Sequence, residues 1–289
     1  MTPVPELETA EQLLRADSQT LAGALNISAA DARREVQLLL SRALGGDFAT
    51  LLGHPERIPQ ARASQWYVEK FARRLGGEPI AYILRERRFY GLHFEITADV
   101  LIPRPETEAL IDVMLEQLPE DAEGRVIDLG TGSGCIAITL AKLRPHVRVI
   151  ATDVSKAALA VAARNAERHG VFNLELRAGE WYDPVAGLRF DVIVSNPPYI
   201  AQGDAHLSEG DLRFEPRAAL CGGTDGLDAL RAIVAHAPAH LKPGGQLVVE
   251  HGYDQAAPVA ELMRQAGFAE VLTRTDLAGI ARVVAGRLA

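Results

Sequence analysis

The segment Ser195–Ile200 reads SNPPYI and follows an apolar run, and its residue types can do chemistry together. Pro197 and Pro198 offer no N–H donors and hold the chain extended. The Asn196 side-chain oxygen and the Pro197 carbonyl can accept both hydrogens of a planar NH2 group, while the Tyr199 ring can stack on its flat face. Such a clamp suits a nitrogen whose delocalised lone pair makes it a poor nucleophile, because it aims that lone pair at an electrophile. The alternative is an ordinary proline turn that closes a strand.

Two further motifs predict a cofactor site. The glycine loop DLGTGSG at residues 128–134 follows a strand and opens a helix, whose free N–H groups can face a ligand. Residues 132–137 also fit the dinucleotide pattern G-x-G-x-x-A, so a nicotinamide enzyme is an alternative. Asp153 ends the next strand and can accept hydrogen bonds from ribose hydroxyls, which nicotinamide and adenosyl cofactors both carry. SNPPYI favours the adenosyl cofactor, because hydride transfer usually needs an acid or base near a carbonyl substrate.

From residue 106 onward, strands alternate with helices, which predicts an α/β fold with a mostly parallel sheet and helices on both faces. Seven strands are expected, at residues 126–129, 147–153, 174–178, 190–195, 246–250, 270–273 and 281–285. The expected helices are 106–118, 134–143, 156–169, 227–240 and 255–265. Ligands of open sheets bind outside the carboxyl ends of strands. Because all three motifs follow such ends, we expect them to form one site.

The first 76 residues predict a small helical domain. Its first helix is expected around residues 7–25, and its second begins at a sequence resembling a capping box, Ser28–Asp31. A third helix begins near Pro59, ends at a Gly-Gly pair and is expected to bury Trp66, Phe71 and Leu75 on one side.

Residues 77–105 predict a hairpin linker, because Phe89, Phe94 and Ile96 flank a turn at Gly91. Residues 106–289 then form the α/β domain.

Composition limits the class of protein. The 289 residues are 48% hydrophobic and 24% charged, as in soluble globular proteins. The N-terminus shows no secretory signal, no apolar stretch could span a bilayer, and the two cysteines lie far apart, all of which predicts a cytoplasmic protein. The net charge is −8, which argues against a basic face for nucleic acid. The two cysteines form no metal-ligand spacing, and we expect neither a metal nor a membrane partner.

Several motifs together resemble the HemK/PrmC family of S-adenosylmethionine-dependent methyltransferases. Besides the glycine loop and Asp153, four segments carry the resemblance, which covers nearly the whole chain: LIPRPETE at 101–108, SNPPYI at 195–200, FEPRAAL at 214–220 and VEHG at 249–252. The resemblance implies a Rossmann-like methyltransferase sheet of seven strands after a helical N-terminal domain. It also implies methyl transfer from S-adenosylmethionine, which becomes S-adenosylhomocysteine, to the glutamine amide in the GGQ motif of peptide chain release factors.

The resemblance also assigns site residues. It implies cofactor binding by Gly130, Thr131, Gly132, Ser133, Gly134, Asp153, Glu180, Trp181 and Asn196. Glu180 is a departure, since relatives often have Asp there. Asn196, Pro197, Pro198 and Tyr199 match the substrate clamp, and we expect Asn196, Pro197 and Tyr199 to be catalytic. If Tyr199 acts only through its ring, Tyr199→Phe retains most activity.

Two alternatives remain open from the sequence. An adenine-amino methyltransferase of nucleic acids uses the same clamp logic, although it would need a flipped base and phosphate contacts. A non-catalytic cofactor-binding scaffold would have no need of Asn196 at that position. We expect residues 1–76 to dock the release factor and no direct nucleic-acid substrate.

Overall fold

The computed structural model describes residues 9–46, 48–57 and 59–289. The chain divides into two compact units: residues 1–84 with 209–214, and residues 85–208 with 215–289. Residues 7 and 8 of the expected first helix lie outside the described residues. Among the described residues, no helix has both the length and the apolar character needed to cross a membrane.

The first unit is helical. Its helices are α1 (Ala10–Leu25), α2 (Ala29–Ala43), α3 (Phe48–Gly53), α4 (Ala61–Leu75) and α5 (Ile80–Leu84). A capping box in which Thr9 and Gln12 exchange hydrogen bonds starts α1, and the Ser28 hydroxyl oxygen accepts from the Asp31 N–H to start α2. Aliphatic side chains of α1 and α2 form the centre of its core: Leu14, Leu21, Val36, Leu39 and Leu40.

Helix α4 differs from its prediction in the residue that it buries most. Tyr67 is buried, whereas Trp66, Phe71 and Leu75 are only partly buried against the same core. The Tyr67 hydroxyl donates to Asp17, which gives this buried ring a polar partner at 2.5 Å. Helices α3 and α5 were not predicted, because five or six residues are too few to display a helical period.

The second unit contains a hairpin and a seven-stranded sheet. The hairpin pairs β1 (Glu86–Phe89) with β2 (Leu92–Glu95) around the expected turn. The sheet strands are β3 (Gly124–Leu129), β4 (Val147–Asp153), β5 (Leu174–Ala178), β6 (Phe190–Ser195), β7 (Leu241–Glu250), β8 (Phe268–Thr275) and β9 (Ala281–Leu288). The helices are α6 (Glu108–Gln117), α7 (Cys135–Leu143), α8 (Lys156–His169), α9 (Arg217–Leu220), α10 (Asp228–His240) and α11 (Ala256–Gln265).

The strand order is β5-β4-β3-β6-β7-β9-β8. Strands β3 to β7 pair in parallel, and β9 joins β7 and β8 antiparallel. The α/β prediction is therefore confirmed. The order reverses between the neighbours β3 and β6, and a crevice at such a switch point is where open α/β sheets bind ligands. The glycine loop follows β3 and the SNPPYI turn follows β6, so the topology brings both motifs to that crevice.

Strand β7 begins earlier than predicted. Leu241 already pairs with Phe190, five residues before the expected start, and the register shifts before Val192. Gly244 lies in this irregular stretch with a φ of +74°. Gly244 and Gly245 are of a residue type that is common in turns, but here they lie in a bulge inside the strand.

A buried ion pair in the helical unit gives a stability prediction. The Arg74 side chain is 4% exposed and donates to Glu35 at 2.7 Å and to Asp211 at 3.1 Å. Arg74→Met leaves the half-buried Glu35 without its cation and should cost about 3–5 kcal/mol of unfolding free energy. Urea denaturation of the full chain measures this cost.

The neighbouring Arg73→Met is the matched control. Arg73 pairs with Glu78 at a more exposed position, so its loss should cost at most ~1 kcal/mol. Equal costs for the two variants would contradict the importance of the buried pair.

Candidate active site

The glycine loop leaves β3 through three left-handed residues. Gly130, Gly132 and Gly134 have φ values of +72°, +55° and +81°, which side chains disfavour. A Cβ on Gly134 would lie 2.8 Å from Ile138 Cδ1 and 3.1 Å from Ala162 Cβ, so packing against α7 and α8 also favours glycine there. Apart from its two chain neighbours, no described residue has an atom within 4 Å of the position that a Cβ on Gly132 would take. The loop therefore keeps open space beside Gly132 that packing does not fill.

Asp153 holds this loop from the end of β4. Its Oδ2 accepts the Gly132 N–H at 2.9 Å, and its Oδ1 accepts the Ser155 N–H at 2.8 Å. Burial raises the pKa of the Asp153 carboxyl, while these two hydrogen bonds oppose the rise. Each oxygen retains a lone pair, so the carboxylate can accept further hydrogen bonds from a ligand hydroxyl.

The Trp181 side chain lies beside the glycine loop. Its Cζ3 atom is 3.5 Å from the position that a Cβ on Gly130 would take, and its carbonyl accepts from the Thr152 hydroxyl at 3.0 Å. The ring is partly buried against the core, whereas the Glu180 side chain is exposed. Glu180 therefore adjoins Trp181 in sequence, but packing does not fix its side chain.

The SNPPYI turn is anchored at both ends. The Ser195 hydroxyl donates to the Leu129 carbonyl at 2.7 Å, which ties the turn to β3. The Tyr199 carbonyl accepts from the Gln255 side chain at 3.0 Å. A Cβ on Gly226 would lie 2.3 Å from that carbonyl oxygen, so only glycine lets the two backbones approach this closely.

The nitrogen and the oxygen of the Asn196 carboxamide differ in their contacts. Its Nδ2 donates to the Thr107 hydroxyl oxygen at 3.1 Å. Its Oδ1 is closed to water and has no hydrogen-bond partner among the residues that the structure describes. A buried acceptor without a partner costs about 1–3 kcal/mol, so this oxygen is the expected contact for a ligand N–H.

Tyr199 carries a contact that sequence reasoning missed. Its hydroxyl donates to Glu250 Oε1 at 3.1 Å, and burial with the Glu250 charge raises the Tyr199 pKa. The Glu250 carboxyl is buried, which raises its pKa to about 7, while the neighbouring Thr107 and Tyr199 oppose the rise. Its Oε2 has no hydrogen-bond partner among the described residues. Thr107 and Glu250 belong to the LIPRPETE and VEHG segments, which were the available signal, but their spacing in sequence gave them no role.

Two further buried carboxylates, those of Asp128 and Glu215, accept hydrogen bonds from the loops around the site. Asp128 is buried with a pKa raised by burial to about 7, and its Oδ2 accepts from the Thr131 hydroxyl at 2.6 Å. The buried Glu215 accepts from the Ile102 N–H at 2.9 Å and from the Arg104 guanidinium. Arg104 therefore joins the LIPRPETE and FEPRAAL segments to each other, a structural task that the sequence did not indicate.

A cavity of about 610 Å³ lies away from these motifs. Its lining includes Arg125, Val147 and Leu174, at the amino ends of β3, β4 and β5. That edge of the sheet is opposite to the carboxyl ends that carry the glycine loop and SNPPYI. This cavity therefore does not coincide with the candidate active site.

Comparison with known proteins agrees with the fold and the motifs. Residues 12–84 match the PrmC N-terminal domain and residues 108–211 match the methyltransferase small domain. A methyltransferase from Pyrococcus furiosus superimposes with a TM-score of 0.53 at 21% identity, over 76% of this chain and 98% of its own. The fold and the family match define the chain as a methyltransferase.

Curated relatives narrow the class. Release factor glutamine methyltransferase of Xylella fastidiosa is 49% identical over 88% of this chain and 93% of its own. The protein of the same name from Burkholderia pseudomallei is 49% identical over 99% of both chains. The chain therefore belongs to the release factor glutamine methyltransferase family.

The open space beside Gly132 predicts a ligand-specific effect of mutation. Gly132→Ala meets no atom but forces a side chain into a left-handed conformation, which should cost about 1–2 kcal/mol of stability. If the space receives S-adenosylmethionine, the added methyl should also weaken its binding at least tenfold. Isothermal calorimetry measures the affinity and thermal unfolding the stability.

Gly170→Ala is the matched control for this change. Gly170 caps α8 with a φ of +63°, and an added Cβ there would likewise meet no described residue within 4 Å beyond its chain neighbours. It should therefore lose similar stability and keep its cofactor affinity. Equal affinities in the two variants would remove the Gly132 space from the cofactor site.

The Tyr199 hydroxyl bond reverses the expectation that Tyr199→Phe is mild. The phenylalanine retains the ring but removes a donor from the buried Glu250, which should cost about 1–3 kcal/mol of stability and lower turnover. Single-turnover kinetics and urea unfolding check both effects. Tyr253→Phe, at a side chain that is 71% exposed, should change neither. A Tyr199→Phe variant indistinguishable from the parent would mean that only the ring matters.

Proposed function

We propose that this chain transfers a methyl group from S-adenosylmethionine to the side-chain amide nitrogen of the glutamine in the GGQ motif of peptide chain release factors. The observation that carries the proposal is Asn196 Oδ1, which has no partner in the part of the chain that the structure describes and which follows β6, the neighbour of β3 in the sheet. The names of the relatives, release factor glutamine methyltransferase, support the same substrate. We infer that the protein acts in the cytoplasm, where its substrates work.

The residues of the loop fit an adenosyl cofactor. The space beside Gly132 admits a close approach, the Asp153 carboxylate can accept from ribose hydroxyls, and the Trp181 ring offers a flat apolar surface. Thr131 and Ser133 complete the loop, and Glu180 is free to reach a ligand amino group. When bound, S-adenosylmethionine supplies an electrophilic methyl group on a sulfonium, whose thioether leaves readily.

The chain's own contribution is orientation. Asn196 Oδ1 and the Pro197 carbonyl accept the two amide hydrogens, and the Tyr199 ring packs on the flat face of the glutamine amide. Holding two reactants in a productive geometry contributes about 7–11 kcal/mol to lowering a barrier. Because Asn196 Oδ1 is closed to water, binding of the substrate must displace the groups that cover it. The two oxygens and the ring then stabilise the positive charge that develops on nitrogen.

Mass spectrometry of a purified release factor tests the proposal. The factor is incubated with this protein and S-adenosylmethionine, and peptide mapping should place one added methyl on the GGQ glutamine. A release factor with that glutamine replaced by alanine is the control and should gain no methyl. Methylation of adenine-containing DNA in place of the protein would contradict the proposal and favour the nucleic-acid alternative.

Asn196→Ala should separate catalysis from cofactor binding. Loss of one preorganised acceptor should lower turnover by roughly 10²–10³. The fold and the cofactor affinity should stay close to those of the parent, as judged by thermal unfolding and calorimetry. An Asn196→Ala variant with parental turnover would remove the carboxamide from the reaction.

A further inference from the structure

Asn165 is a polar residue on the buried face of α8. The other buried residues of this helix are Ala158, Val161 and Ala162, and Asn165 continues their helical spacing. Its side chain is fully buried. A buried carboxamide is unfavourable unless its polar atoms are hydrogen-bonded. The contacts of Asn165, rather than packing, therefore explain an asparagine on this face.

Asn165 pairs with the end of the hairpin as a neighbouring strand would. Its Oδ1 accepts the Glu95 N–H at 2.6 Å, and its Nδ2 donates to the Glu95 carbonyl at 3.0 Å. Glu95 is the last residue of β2, and its carboxylate accepts from Arg85 at 2.9 Å and from Arg164 at 3.1 Å. Two neighbouring residues of α8 therefore hold the end of β2, one by its backbone and one by its side chain.

The same nitrogen of Asn165 reaches the glycine loop. Its Nδ2 also donates to the Ser133 carbonyl at 2.9 Å. The next residue, Gly134, donates its N–H to the Thr131 carbonyl at 2.9 Å. The peptide between Ser133 and Gly134 is thus bonded at both its oxygen and its nitrogen. Asn165 thereby fixes the last peptide of the loop from a helix that is distant from it in sequence.

The partners of the Asn165 carboxamide fix its direction. A backbone N–H can only donate, and a backbone carbonyl can only accept. The oxygen of Asn165 must therefore face the Glu95 N–H, and its two N–H groups must face the carbonyls of Glu95 and Ser133. The opposite orientation would place an oxygen against two carbonyls and an NH2 group against an N–H, so all three hydrogen bonds would be lost.

We propose that Asn165 is a positioning residue that holds the glycine loop to the end of the hairpin and thereby raises the affinity of the loop for S-adenosylmethionine. The proposal rests on the cofactor binding proposed above, and it assigns no contact with the cofactor to Asn165. The hairpin, which the sequence predicts only as a linker, then has a part in cofactor binding.

The Ser133 carbonyl provides a direct readout. Serine precedes glycine only once in the chain, at Ser133 and Gly134. Cell-free synthesis with carbonyl-¹³C serine and ¹⁵N glycine therefore gives one peak in an NMR spectrum that selects for this peptide bond. In Asn165→Ala the carbonyl resonance should move upfield, because the carbonyl loses a hydrogen-bond donor. In the matched control Asn173→Ala it should stay at its parental position.

Asn173 is matched to Asn165 in its chemistry but lies at the other end of α7. Its Nδ2 donates to the carbonyls of Ala141, Arg144 and Val147 at 3.0, 3.2 and 2.8 Å. Both alanine variants should lower the melting temperature in thermal unfolding. Only Asn165→Ala should also weaken the binding of S-adenosylmethionine, by roughly tenfold in isothermal calorimetry.

Asn165→Asp separates hydrogen bonding from packing, and it also replaces Asn165→Ala in the comparison if the alanine variant does not fold. The aspartate keeps the shape and the oxygen that accepts from Glu95, but an oxygen takes the place of the donating nitrogen. If Asn165 only filled space, this variant would bind S-adenosylmethionine like the parent. We expect it to bind at least as weakly as Asn165→Ala, because a carboxylate oxygen would face the carbonyls of Glu95 and Ser133.

A double-mutant cycle tests the contribution of the hairpin. Glu95→Ala removes the ion pairs with Arg85 and Arg164, which loosens the end of β2. This change should weaken the binding of S-adenosylmethionine by roughly two- to fivefold. In the Asn165→Ala background the same change should have no further effect on the affinity, because the connection to the loop is already lost.

The proposal is overturned if the Ser133 resonance keeps its parental position in the Asn165 variants, or if Asn173→Ala weakens cofactor binding as much as Asn165→Ala does. Additive effects of Glu95→Ala and Asn165→Ala would show that the hairpin does not act through Asn165. A parent protein that does not bind S-adenosylmethionine would refute the cofactor site itself, while the Ser133 resonance would still decide whether Asn165 holds the loop.

Discussion

Several elements of the α/β unit hold in place Asn196 Oδ1, a buried oxygen without a hydrogen-bond partner among the described residues. A buried acceptor without a partner is unfavourable by about 1–3 kcal/mol, and a fold keeps one only where the surroundings leave it no alternative. Strand β6 brings Asn196 to the edge of the sheet formed by the carboxyl ends of the strands. The Asn196 Nδ2 donates to the Thr107 hydroxyl oxygen at 3.1 Å. Ser195 and Tyr199 fix the backbone on either side. The result is an acceptor that a substrate amide can satisfy and that the described chain does not.

The sheet order explains why this acceptor lies beside the glycine loop. Strands β3 and β6 are neighbours, although about 60 residues separate them in sequence, and both end at the switch point of the sheet. Asp153, from the next strand on the other side of β3, then holds Gly132 through a direct hydrogen bond. A parallel sheet thus delivers three motifs to one edge without any of them being adjacent in sequence.

The sequence predicted the parallel strands and the helices between them because apolar runs with clear boundaries repeat along residues 124–250. Strands β4, β5 and β6 and helix α8 have the expected limits. The short helices α3 and α5 show too few residues for a period to be visible. Strand β7 was cut short because Pro243 and Gly244 resemble a turn, whereas the fold absorbs them as a bulge.

The site was predictable only in part. Residue types and motifs indicated the glycine loop, Asp153 and the clamp, since each carries its chemistry in a short segment. The supporting contacts were not predictable, because Thr107 is 89 residues from Asn196 and Glu250 is 51 residues from Tyr199. Such pairs meet only through the order of the strands. A single sequence also does not show that Glu250 is buried. That burial raises the pKa of its carboxyl to about 7.

A thermodynamic cycle between enzyme and substrate tests most directly whether Asn196 accepts the substrate amide hydrogens. The affinities of a release factor with GGQ and one with GGE are measured against the parent and against Asn196→Ala, with the cofactor product present. A glutamate side chain offers oxygens in place of the NH2 group, so the parent should bind GGE at least tenfold more weakly than GGQ. Asn196→Ala should lose most of that preference, since the opposing oxygen is gone. An equal preference for GGQ in both proteins would contradict the clamp.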